Sequence, residues 1–196
     1  VMDSNKRYQM SSLLFFARCY CLLDKLDIAE KKFKQSSEIA LELGKKNFYD
    51  ITMQDLAALY KNSHRYTESL LILKSLPFNP QVSLLFGQNY LLLNQLDSAN
   101  YYLKKSLYTD NIYTKRVAYM GLYKLAEYPI YQKNMKTYCD SLLFYTDSVM
   151  SLDKGKEIIA YKEKYDHQKL ITEQQRLKLE KAEAQRVLII VTLCLV

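Results

Sequence analysis

Three stretches of this chain carry the same residue types at the same offsets, and that recurrence limits the fold more than any other feature. With Phe16, Leu56 and Phe86 in register, the next residue is small each time, as Ala17, Ala57 and Gly87. Four steps on from the first position stand Tyr20, Tyr60 and Tyr90. Further along come Ala29, Ser69 and Ala99, and then Phe33, Leu73 and Leu103. A short polar link recurs as well, at 24–27, 64–67 and 94–97. A chain that repeats such a pattern builds one supersecondary unit several times and buries the apolar face of each unit on the next.

Apolar residues return at three- and four-residue intervals, as in Leu13, Phe16, Ala17 and Tyr20, and strand-type alternation is missing. Breaks at 24–27, 44–47, 62–65, 77–80, 94–97, 109–111 and 127–133 divide residues 8–149 into about eight helices of roughly 10–18 residues. Short links make neighbouring helices antiparallel. The composition agrees, since 4 Gly and 3 Pro in 196 residues leave little for the turns of sandwiches or barrels. Isolated glycines at 44, 87, 121 and 155 exclude the loops that cradle phosphates. The 18 Tyr, against 7 Phe and no Trp, show that tyrosine is placed systematically.

These offsets resemble the tetratricopeptide repeat, a helix–turn–helix unit of about 34 residues with a large apolar residue, a small one, Tyr, then Ala and an aromatic. A fourth, degraded unit can be placed on Leu122, Tyr123, Ala126, Met135, Tyr138 and Leu142, its second helix ending in 144–149. Unit spacings of 40, 30 and 36 residues depart from the repeat length. One second helix is therefore expected to be extended, near Lys45, and one shortened, at Pro77. The resemblance implies an all-α solenoid over 8–149, wound as a right-handed superhelix, whose first helices line a concave surface. On that geometry the peptide-binding positions are Arg18, Gln54, Lys61, Asn62, Leu84, Gln88, Leu91 and Lys124.

Amide, basic and leucine character of this kind suits a protein or peptide ligand, with polar groups setting register and apolar pockets giving affinity. A plainer account stays open beside it. Leu14, Leu22, Leu91 and Leu92 equally suit packing against another repeat or the C-terminal helix, and Arg18, Lys61 and Lys124 suit solvation. Some proteins of this family clamp a partner's C-terminal carboxylate with Lys and Asn; Leu14 and Arg18 stand at those positions here, so that ligand is not expected.

Catalysis finds no support in the residues. His64 and His167 are about a hundred positions apart with no ligand set around them, and Cys19, Cys21, Cys139 and Cys194 form no CxxC spacing. No enzyme activity, cofactor or metal is expected. The formal charge of +7 comes from 28 basic and 21 acidic residues spread along the chain, without the basic stripes and exposed aromatics of a nucleic-acid surface. Direct nucleic-acid binding is not expected either.

After Asp153 one long charged helix is expected over 153–186, holding nine basic and seven acidic residues in pairs such as Asp166/Lys169, Glu173/Arg176 and Glu183/Arg186. Leu170, Leu177 and Ala184 are seven apart, but Gln174 and Lys181 interrupt the alternate seam. The helix permits a partner-dependent coiled coil and hence a homodimer. Residues 187–196 are apolar except Thr192. Ten helical residues rise about 15 Å, half of a bilayer core, so this run is expected to begin a single membrane span of a longer protein. The order of parts is similar to membrane-anchored bacterial repeat-containing regulators, which implies exported repeats and an output module beyond the span. A membrane-tethered scaffold without output is the alternative. Lys169, Arg176, Lys178, Lys181 and Arg186 before the apolar run weigh toward the cytoplasmic side.

Overall fold

The computed structural model describes the backbone of residues 2–194 and the side chains of residues 4–182. It is all-helical, with no strand among the described residues. The helices are α1 (Met2–Leu22), α2 (Leu26–Glu42), α3 (Lys46–Asn62), α4 (Tyr66–Ser75), α5 (Pro80–Leu92), α6 (Leu96–Lys105), α7 (Ile112–Leu125) and α8 (Met135–Cys194), with one 3₁₀ turn at Gln132–Asn134. By internal packing the chain divides into two units, Val1–Thr146 and Asp147–Val196.

In the first unit each helix packs mainly on its neighbours in sequence, and α5 also meets α3 and α7. Three apolar clusters follow one another along it. Leu14, Ala17, Ala29, Phe33 and Leu56 join α1 to α3; Ala57, Leu73, Val82 and Phe86 join α3 to α5; Leu103, Ala118, Leu122 and Tyr138 join α6 to the start of α8. The recurring small residues Ala17, Ala29, Ala57, Ser69 and Ala99 are all fully buried, and so are Phe33, Leu73 and Leu103 to within 1%. Phe16 breaks the pattern at 52% exposed, whereas Leu56 and Phe86 are buried. Leu56 and Phe86 each pack on the helix pair before them, whereas Phe16 lies outside the three apolar clusters.

The links explain why few glycines suffice. Asp24, Gly44, His64 and Asn94 all have φ between 56° and 63°. Each sits mid-link, with the following N–H donating to a carbonyl five residues back: Lys25 to Tyr20, Lys45 to Ala40, Arg65 to Tyr60 and Gln95 to Tyr90, at 2.8–2.9 Å. This is the Schellman closure, usually made with glycine in the left-handed position. Here Asp, His and Asn fill three of the four places.

Helix lengths follow the irregular spacing. α2 has 17 residues and α4 only 10. Pro77 stops α4, and Asn79 then caps α5 by accepting from the Val82 N–H. Where the sequence reading ends a helix in 144–149, α8 continues without a break to Cys194. Nothing in that stretch interrupts a helix: there is no proline, and Gly155 alone costs about 1 kcal/mol.

The second unit is the remainder of α8. From Met150 to Ala182 every residue but Gly155 is exposed. Arg176 pairs with Glu180 at 2.8 Å, one turn ahead, rather than with Glu173, and Lys156 meets Asp153 at 3.6 Å. Glu183 and Arg186 lie outside the described side chains, as does the apolar run 187–196. Among the described residues no helix is long and apolar enough to cross a membrane.

Candidate functional site

The first helices of the successive pairs, α1, α3, α5 and α7, are tied to one another by polar contacts between side chains of similar register. Arg18 on α1 donates to Asp55 on α3 through Nε, 2.8 Å from Oδ2, and its guanidinium closes an ion pair at the same distance. Lys61 near the end of α3 donates from Nζ to Oε1 of Gln88 on α5 at 2.8 Å. Thr114 on α7 donates to Oε1 of Gln81 on α5 at 3.2 Å. Sequence reasoning placed Arg18, Lys61 and Gln88 on this face but passed over Asp55 and Thr114. A carboxylate at Asp55 has no repeat signature, and only its distance to Arg18 brings it in.

The rungs differ in charge balance. Burial pushes the Asp55 carboxyl up, although Arg18 beside it pulls the other way. Burial, with Asp55 close by, also raises the Cys21 thiol. Burial pushes the Lys61 ammonium down. Its hydrogen-bond partner is the neutral Gln88 amide, so this rung holds a cation without a carboxylate.

The remaining expected positions separate clearly. Gln54 is half-buried on α3, and Asn62 and Lys124 are exposed. Leu84, expected in the groove, is instead a core residue at 4% exposure, because α7 closes over α5 and Leu84 joins Ala118 and Leu122. Leu91 is half-buried against the same cluster, and Leu14 is buried with Phe33 and Leu56. Leu22 and Leu92 are exposed. The face is therefore mainly polar, with Leu14 and Leu84 turned inward and Leu22 and Leu92 left in water.

A second polar network lies on the other side of α3. Glu30 on α2 accepts from Lys34 at 2.6 Å, from the Tyr60 hydroxyl at 2.8 Å and from Arg65 at 2.5 Å. Arg65 also grips Glu68 and lies 4.0 Å over the Tyr60 ring. Desolvation pushes the Glu30 carboxyl up, but the hydrogen bonds from Lys34, Arg65 and Tyr60 outweigh it and hold the group down at about 2. This cluster is internally satisfied and joins α2, α3 and α4.

Among the described residues no group of three or more His, Cys, Asp or Glu side chains could hold a metal ion. Cys19, Cys21 and Cys139 are free and half-buried. His64 bonds the Tyr66 hydroxyl at 2.7 Å at the surface. No protein-family model matches this chain, and no curated protein matches it.

Proposed function

We propose that this chain is a peptide- or protein-binding region of tetratricopeptide type, a helical solenoid that recognises its ligand on the face lined by α1, α3, α5 and α7. One observation carries the proposal: Lys61 is a half-buried cation held only by a neutral amide, within a ladder of polar contacts running from helix to helix. A cation in that setting gains most from a ligand carboxylate, and the amides beside it supply register. The recurrence of residue types and their burial support the repeat assignment.

The experiment is a solid-phase array of fifteen-residue peptides of graded acidic content, probed with the full chain. Acidic peptides should be retained, and Lys61→Gln should weaken them about tenfold. Absence of retained peptides, or retention indifferent to Lys61, would remove the ladder as a binding face.

The apolar run 187–196 supports a further part of the proposal, that the region is tethered to a membrane and relays binding to a module beyond it. A tethered scaffold on the cytoplasmic side is the second reading, favoured by the five basic residues between Lys169 and Arg186 that precede the run.

A further inference from the structure

The last helix pair of the first unit leaves a hollow of about 310 Å³ between α7 and the opening turns of α8. Its walls are Val117 and Met120 from α7 and Leu142, Leu143 and Thr146 from α8, with Arg116 at its edge. Val117 and Met120 are one turn apart, as are Leu142 and Thr146, so the hollow is a groove between two ridges of helical pitch. Such a groove accepts a third helix. Met120 and Leu143 stand 42% and 58% exposed, an apolar surface in water that covering would favour.

Arg116 says what the cover should carry. Its Nε is buried without a hydrogen-bond partner, and among the described residues the side chain makes no ion pair. Lys115 beside it lies 5.6 Å over the Tyr145 ring and likewise meets no carboxylate. Three other cations of the unit that bridge elements are held by carboxylates: Arg18 by Asp55, Arg65 by Glu30 and Glu68, and Lys6 by Glu42. At this edge two adjacent cations flank an apolar groove, and among the described residues neither meets a carboxylate. A guanidinium presents donors in a fork that matches a carboxylate, and the match strengthens where water is excluded.

We propose that the α7–α8 groove is a docking site for an acidic amphipathic helix of a partner protein. The partner sets a Leu-type side chain between Met120 and Leu143 and pairs a Glu or Asp carboxylate with Arg116. The inference stands on residues separate from the Arg18–Lys61 ladder and does not depend on it.

The test uses the full chain labelled with ¹³C at its methionine methyls, with the Met120 signal identified from Met120→Leu. The probe is a fifteen-residue amidated helical peptide of Leu, Ala and Glu, compared with the same peptide carrying Gln for Glu. The acidic peptide should shift the Met120 methyl and bind about tenfold tighter than its neutral twin. Arg116→Met, which keeps the aliphatic stem, should erase that preference and leave the neutral peptide unchanged, while Arg116→Lys should keep a reduced preference. Leu143→Asp, at an exposed position where the fold is retained, should abolish binding of both. Equal affinity for the two peptides, a preference that survives Arg116→Met, or an unmoved Met120 signal overturns the proposal. So does a Met120 shift produced by concentrating the protein alone, which makes a second copy the occupant.

Discussion

Lys61 is a residue whose proposed role and stability pull apart. Its ammonium is pushed below the ordinary lysine value by burial, so the folded state disfavours the proton relative to the unfolded chain. For a group depressed on folding, stability is greatest above the unfolded value and falls as pH drops through the folded one. Lys61→Met should therefore raise the denaturation midpoint at pH 7, equivalent to about 0.5–1 kcal/mol of unfolding free energy after allowing for the part of the charge water still screens. The same substitution should weaken acidic peptides. A midpoint that falls instead would mean that the bond to Gln88 outweighs desolvation. Residue types at this scale were partly legible in advance. The small residues Ala17, Ala57 and Gly87 identify helix crossings because nothing larger fits there. Leu84 was misplaced because its burial depends on α7, which a single helix's periodicity does not contain.

Among the elements, α2, α3 and α4 are joined by the Glu30 cluster, and its response to acid follows from its wiring. The Glu30 carboxyl sits at about 2 in the fold, below its ordinary value of 4.5. The stability it contributes is present above the unfolded value and is lost as pH falls from there toward the folded one. Glu30→Gln should cost about 1–2 kcal/mol at pH 7 and progressively less below pH 4.5, merging with the parent protein near pH 2; urea titrations across that range measure it. Parallel curves for the two proteins would show that Arg65 and Lys34 gain nothing from the ionised group. Helix ends were more legible than this network. The recurring links at 24–27, 64–67 and 94–97 coincide with three left-handed residues, Asp24, His64 and Asn94. The passage from 144 to 153 was misread as a stop, since without proline or a capped turn there is no local reason for a helix to end.

For the whole molecule, the contrast is between a packed unit and a bare helix. From Met150 to Ala182 the side chains bury almost nothing, and helices without tertiary support are marginal in water. Amide exchange at micromolar protein should accordingly run at least about a hundredfold faster over 150–182 than over α3, α5 and α7. Equal protection would mean that the helix is already covered by a second copy. In the packed unit the charge pattern shows less than the apolar one: the +7 balance is plain from composition, but that Lys115 and Arg116 stand beside an apolar groove without a carboxylate emerges only from the packed side chains. Two of the glycines face Leu103 on α6, where a Cβ added at Gly87 would lie 2.7 Å from its Cγ and one at Gly121 would lie 2.8 Å from its Cδ2. The consequence is mechanical. With no clearance on either flank, α5 and α7 are each set tightly against Leu103 of α6, and sliding or rolling either helix over α6 would drive that side chain into backbone.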